Sequence, residues 1–250
     1  MGYTSLQFNK AKGTSDSRMS DHIERKVIPH NADPTRTHLN RELIELPDGV
    51  KDRNEAISQR IKSSGVKRKI TPDQVRAIRV MLSGTHEDMM KVQESGRIDE
   101  WCNDNLQWLY KNFGRENTVS AVLHMDELTP HIHATVVPIV TGERRKAKKE
   151  QVDGKRKYRK KTDTVRLCAD DVLNRDTMIA FHDSYAQLME KYGLQRGVSG
   201  SEARHVSTAQ YYRNMQREKE GLHNDVQELQ NQKQEAQERL AQTKREIQTD

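Results

Sequence analysis

The sequence predicts an α+β fold: an antiparallel β-sheet with helices packed on one face, followed by a long C-terminal helix with coiled-coil tendency. Three observations carry this. Strand-like and helix-like segments follow one another without the regular βα alternation of a parallel sheet. Two apolar runs, Thr118–Leu123 and Ala134–Val140, flank a turn-rich segment and pair most simply as a hairpin. From Thr208 onward the chain has no proline and one glycine, with apolar positions spaced by fours and threes.

In chain order, Tyr3–Phe8 alternates weakly and is expected to be a first strand, and Asn9–Asp21, rich in Gly, Ser and Lys, a loop. Glu42–Leu46 is strand-like and closes on the turn former Pro47-Asp-Gly49. Asp52–Ser64 holds Ile57 and Ile61 at i,i+4, a short helix. Val75–Leu82 ends at Ser83-Gly84, as a strand does. Arg97–Asn112 places Ile98, Trp101, Cys102, Leu106, Trp108 and Leu109 on one helical face, with Gly114 as a stop. A further helix is expected from Asp176 to Tyr192, with Met178, Ile179, Tyr185, Leu188, Met189 and Tyr192 on its apolar side and Gly193 at its C-terminus, then a Gly/Ser-rich loop over Leu194–Ser207. In the tail, Leu222, Val226, Leu229, Lys233, Ala236, Leu240, Thr243 and Ile247 form a heptad seam weakened by Lys233 and Thr243. The expected organisation is a domain over 1–207 and a helical extension over 208–250 that is cut off mid-pattern.

Composition narrows the function. Only 33% of residues are hydrophobic and 32% are charged, and mean hydropathy is -1.00. One core does not account for all 250 residues, so part of the chain is extended, solvated or partner-bound. The net charge of +6 favours a polyanionic partner. Cys102 and Cys168 are the only cysteines and form no CxxC pair, which excludes a disulfide framework or a thiolate metal site. No apolar leader or run of membrane-spanning length is present, so a cytoplasmic protein without stable membrane insertion is expected.

The chemistry concentrates in His124-Met-Asp-Glu-Leu-Thr-Pro-His131-Ile-His133. Residues at i,i+2 of a strand share a face, so His131 and His133 project together, and a hairpin brings His124 beside them. A lone histidine on a strand is ordinarily filler; three meeting through a short turn that holds acids point to a metal. Neutral imidazoles with an open coordination position suit a divalent cation acting on substrate. The spacing alone leaves the metal open, and also the choice between hydrolysis and transesterification.

Gly142–Arg166 contains twelve Lys/Arg, and from Arg144 onward only three acids, Glu150, Asp153 and Asp163. Its cations Arg144, Arg145, Lys146, Lys148, Lys149, Lys155, Arg156, Lys157, Arg159, Lys160 and Lys161 fit an arm that contacts phosphates without reading bases. A further polar cluster, Asp21-His22-Ile-Glu-Arg25-Lys26, precedes Thr37-His38-Leu-Asn40-Arg41-Glu42.

Together, His22-Ile-Glu-Arg25, Pro34-Thr-Arg-Thr-His-Leu-Asn40-Arg-Glu42-Leu43, His124-Met-Asp-Glu127 and Pro130-His-Ile-His133 resemble, in order and spacing, the Mob/Pre (MobV-type) plasmid mobilisation and recombination relaxases. The resemblance spans roughly residues 1–207; the tail is similar in character alone. It implies an HUH-type endonuclease fold and a metal-dependent enzyme that cuts one strand at a plasmid transfer origin and stays joined to the 5′ phosphate. It implies further that His124, His131 and His133 hold a divalent ion, Mn2+ or Mg2+ with Zn2+ as the alternative. His22 matches the nucleophile, Arg25 a basic residue near it that would contact the DNA phosphate, and Glu127 an acid that either serves His22 or lies in the outer shell of the metal. Arg41 stands where the family often has tyrosine, and there an arginine would hold phosphate. Tyr3, Tyr110, Tyr158, Tyr211 and Tyr212 are the rival nucleophiles. The implied partners are the origin DNA in single-stranded and hairpin form, a second copy through the tail, and a conjugation coupling protein. A rolling-circle replication initiator of the same chemistry, or a non-catalytic DNA-binding accessory protein with a structural metal, are the alternatives.

Overall fold

The computed structural model describes residues 2–13, 15–142, 165–197 and 208–249, the side chains of 208–212 and 240–249 excepted. The chain divides into two units, Met1–Gly197 and Val198–Asp250.

The first unit runs β1 (Gly2–Lys12), α1 (Ser17–Ile23), a 3-10 turn (Pro34–Leu39), β2 (Arg41–Glu42), α2 (Arg53–Ser63), β3 (Val75–Gly84), α3 (His86–Glu94) and α4 (Ile98–Phe113). It continues with β4 (Thr118–His124), β5 (His131–Val136), β6 (Ile139–Val140), β7 (Arg166–Leu167), α5 (Ala169–Val172), α6 (Arg175–Met189) and β8 (Leu194–Gln195). Six strands form one sheet in the order β2-β4-β5-β3-β1-β8, and β6 pairs with β7 apart from it. All neighbours are antiparallel except β1 and β8. This is the predicted α+β architecture.

Strand alternation divides the sheet's labour. Ile78, Val80 and Leu82 of β3, Ala121 and Leu123 of β4, and Ile132, Ala134 and Val136 of β5 belong to one core with Trp101, Trp108 and Leu109 of α4 and Phe181, Tyr185 and Met189 of α6. The buried positions of α4 recur at threes and fours, and the helix stops at Gly114, whose φ of +86° favours glycine. The opposite face carries a smaller core, where Ile57 and Ile61 of α2 meet Ala11, Ala77 and Val137. Asp52 caps α2 by accepting from the Glu55 N–H at 2.8 Å, and Asn174 makes a capping box for α6.

Local expectations differ from the structure in several places; the loop expected from Leu194 begins instead as β8, where Leu194 and Gln195 pair with Gly2 and Tyr3 of β1. The segment expected as a loop over Asn9–Asp21 continues β1 to Lys12 and then forms α1, because β3 supplies partners through Lys12↔Val75. Pairing overrides a weak local signal here. The strand expected at Glu42–Leu46 is shorter: Arg41 and Glu42 pair with β4, the Leu43 N–H reaches the Ala121 carbonyl at 2.8 Å, and the chain departs. Helix α3 was not anticipated, since its nine residues bury just Met89 and Val92.

The second unit is one helix, α7 (Thr208–Thr249), about 63 Å long at 1.5 Å per residue. Its seam residues Leu222, Val226 and Leu229 are exposed. Among the described residues no helix is long and apolar enough to cross a membrane.

Candidate metal centre and nucleophile

The hairpin register sets the site. His124 pairs with His131 and Val122 with His133, while Leu123 and Ile132 between them point into the core. All three histidines therefore emerge on the face away from α4 and α6. Their ring centroids lie 5.1 Å (His124–His131), 5.0 Å (His124–His133) and 4.8 Å (His131–His133) apart. One nitrogen from each falls within 4.8 Å of the others.

Hydrogen bonds decide which nitrogens are free. A carbonyl can only accept, so Nε2–H of His124 donates to the Ile23 carbonyl at 2.9 Å. Its Nδ1 is then a lone pair, buried and without a partner. His131 uses Nδ1–H on the Thr129 carbonyl at 2.9 Å, which leaves Nε2 open. A buried acceptor with no donor is costly unless a cation completes it. Burial first, then the neighbouring His131 and Arg25, pushes His124 down to about 3. His133 is likewise held well below the usual range by burial and by the other imidazoles. Convergent, with His124 and His133 held neutral and the His124 Nδ1 lone pair unspent, these residues fit a divalent metal.

Helix α1 brings the fourth ring. His22 lies 5.5 Å from His133 and 6.1 Å from His124, centroid to centroid. Burial lowers its pKa; Glu127 opposes that and Arg25 adds to it. Seven residues do not hold a helix alone. Ile23 is buried, and Arg53, 1% exposed, fastens α1 from below. Its guanidinium donates to Asp16 Oδ2 at 2.8 Å, Ser20 Oγ at 3.1 Å and Thr135 Oγ1 of β5 at 2.6 Å, and its backbone N–H donates to Glu24 at 2.6 Å.

Arg25 fastens the other end. It is the one non-glycine residue with positive φ among those described, at 55°. Its side chain donates to Asp126 at 2.9 and 2.7 Å, to Glu127 Oε1 at 2.7 Å and to the His22 carbonyl at 2.9 Å. Asp126 also accepts from Thr37 at 3.2 Å, and Asn40 Oδ1 accepts the Met125 N–H at 2.7 Å. A strained backbone held by several partners is typical of functional sites. Glu127 Oε1 sits 3.9 Å from His124 Nδ1 and 3.8 Å from His131 Nε2, among the metal-facing nitrogens.

The structure thus brings together His22, Arg25, His124, Glu127, His131 and His133. Arg25, expected against phosphate, is nearly enclosed and spent on two carboxylates. Arg41, on β2, is exposed and paired with Asp99. The cations from Arg144 to Lys161 lie outside the described residues, as does Tyr158. Tyr110 belongs to α4 and stacks under Arg115, while Tyr3 begins β1 and is 46% exposed. The side chains of Tyr211 and Tyr212 also lie outside the description. Sequence reasoning passed over Asp126 and Arg53. Asp126 stood inside the quoted motif; Arg53 opens an ordinary helix and carried no signal.

Comparison with known proteins gives the family and the fold. The Mob/Pre family, described as plasmid recombination enzyme, matches residues 1–163 and 157–213. A 65 kDa protein of Zymomonas mobilis is 29% identical over 215 residues, 85% of this chain and 33% of its own length. Plasmid recombination enzyme type 3 of Staphylococcus aureus is 27% identical over 84% of this chain and 48% of its own. The chain thus spans about a third to a half of these relatives. Among solved structures, the MobM relaxase domain bound to plasmid pMV158 oriT DNA, with Mn bound, superposes with a TM-score of 0.69 at 23% identity, covering 85% of this chain and 99% of that one.

Proposed function

From the premise that this chain belongs to the Mob/Pre family of plasmid recombination enzymes, we propose that it is the relaxase part of such an enzyme: a metal-dependent, strand-specific DNA nickase and strand transferase of the HUH type. It would act on plasmid transfer-origin DNA in the bacterial cytoplasm, for conjugative mobilisation and plasmid recombination. The observation that carries the reading is three imidazoles with unspent lone pairs facing a fourth imidazole on a separate, clamped helix.

His124 Nδ1, His131 Nε2 and His133 would hold the divalent ion, for which the Mn-bound MobM domain favours Mn2+. When bound there, a divalent ion would supply Lewis-acid stabilisation of charge on the non-bridging phosphate oxygens. His22, kept neutral by its burial, attacks phosphorus with its free nitrogen. A P–N bond forms, the P–O3′ bond breaks, and the 3′ oxygen departs to take a proton. The 5′ phosphate stays on His22, and because the phosphoramidate retains the energy of the broken bond, a 3′-OH can reverse the step without a nucleotide cofactor. Glu127 lies with the metal-facing nitrogens, so the geometry favours its outer-shell role over service to His22. Arg25 and Arg53 hold α1. The seam of α7 fits a parallel pairing with a second copy or a docking surface for a conjugation coupling protein.

The test is incubation with supercoiled plasmid carrying a candidate origin and Mn2+, followed by a denaturing gel. A protein–DNA adduct that His22→Ala abolishes is the expected result. DNA binding without an adduct would instead mean an accessory protein with a structural metal. Adduct at a replication origin alone would mean an initiator.

A further inference from the structure

The face that carries the histidines continues beyond them across β3 and β1. In register, His133 is opposite Met81 and Met81 opposite Gln7; Thr135 is opposite Arg79 and Arg79 opposite Asn9. Neighbouring strands lie about 4.8 Å apart, so Arg79 stands one strand, and the β1 side chains two strands or roughly 10 Å, from the strand of His131 and His133. Along β1 the same face presents Tyr3, Ser5, Gln7 and Asn9, because Leu6 and Phe8 between them turn to the main core.

These side chains are available. Tyr3 is 46% exposed. Among the described residues, Gln7 has one side-chain contact, a long 3.5 Å bond to Ser5, and Asn9 has none. Arg79 has a buried Nε without a hydrogen bond, and its nearest acid, Asp16 at 3.9 Å, is committed to Arg53 at 2.8 Å. The strip therefore offers one aromatic ring, the Asn9 carboxamide, the Gln7 carboxamide with its one long bond, and one under-neutralised guanidinium, with no acid along β1 itself.

We infer that this strip of β1 and β3 reads the unpaired DNA strand next to the phosphate at the histidines, which rests on the function proposed above. Sheet faces recognise single strands by stacking splayed bases on aromatic rings and bonding their edges. Tyr3 supplies the stacking surface. Gln7 and Asn9 each offer a donor and an acceptor, the pattern that pairs in two bonds with adenine. Arg79 contacts a phosphate. Gln7 and Asn9 are thus specificity-determining residues.

The test is selection of the full chain, with Mn2+, against a random single-stranded oligonucleotide library, then affinity measurements on the recovered consensus. Gln7→Ala and Asn9→Ala should each relax one consensus position, cutting preference for its base by about 5- to 150-fold, with the salt slope unchanged. Tyr3→Phe should bind as wild type, while Tyr3→Ala should weaken binding to all sequences by a similar factor. Arg79→Ala should flatten the log–log salt slope by about 0.7. A consensus unchanged in both carboxamide variants, with nicking intact, overturns this inference and leaves the relaxase reading standing. Absence of any consensus and of any adduct in the wild type would remove both.

Discussion

Replacing Arg25 by methionine tests the clamp on which the geometry of His22 depends. The guanidinium makes two bonds to Asp126, one to Glu127 and one to the His22 carbonyl, and the Arg25, Asp126 and Glu127 side chains are 6%, 0% and 13% exposed. Removing one partner of a buried ion pair leaves uncompensated charge and costs about 3–5 kcal/mol. At roughly 2–4 °C per kcal/mol for a unit of this size, Tm falls by about 6–20 °C. Burial alone would raise the Asp126 carboxyl; the bonds from the Arg25 guanidinium more than offset it and hold it well below the usual carboxylate range. In the wild type this group adds stability above its unfolded pKa and loses it in acid. In the variant the unpaired carboxyl prefers its neutral form, so the penalty is largest at pH 7 and shrinks toward pH 4. Urea unfolding in chelator, followed by the fluorescence of Trp101 and Trp108 in the sheet core, measures both. Arg25→Gly separates backbone from side chain: it relieves the φ of 55° and should recover about 1 kcal/mol of the loss. A loss under about 1 kcal/mol in Arg25→Met, typical of exposed pairs, refutes the reasoning.

Stability of the metal-free protein should fall with acid. His124 is depressed to about 3, so the unfolded state binds its proton first. Stability is full above about pH 6.5 and lost as pH drops toward 3, by about 2 kcal/mol at pH 5 from this residue, with His133 and His22 adding in the same direction; urea curves at pH 7.5 and 5.0 check it. Adding Mn2+ to chelator-treated protein should stabilise it by about 2.7 kcal/mol at a hundredfold excess over Kd, and His133→Ala should abolish the thermal shift. Sedimentation of the chain with and without residues 208–250 should show a dimer in the first case alone; equal monomeric masses would remove the pairing role of α7.

What was legible in the sequence followed periodicity and local chemistry. The hairpin declared itself because apolar runs on either side of turn formers permit one economical register, and that register forces His124, His131 and His133 onto one face. Helix α4 showed because its buried residues recur at threes and fours over 16 residues; α6 showed through Tyr185 and Met189, although Ile179 of its expected apolar side is exposed and Phe181 is buried instead. Helix α1 did not, for a physical reason: seven residues buried at Ser20 and Ile23 alone have no detectable period, and the helix exists because Arg53 and Arg25 hold it from outside.

Those two arginines illustrate a wider asymmetry. Lys/Arg-rich stretches are conspicuous in a sequence, and a basic chain invites every arginine to be assigned to phosphate. Burial sorts them differently. Arg25 and Arg53 are enclosed and neutralised by Asp126, Glu127 and Asp16, so their charge is spent on the protein itself. Arg79, on the same face and with its acid already claimed, has charge left for a ligand. A cation's use follows from which carboxylates the fold brings within about 4 Å of it, and those partners lie 37 to 102 residues away in the chain for Arg53 and Arg25. Local pattern cannot see such distances, while the histidine cluster, gathered within ten residues, needs only one turn to assemble.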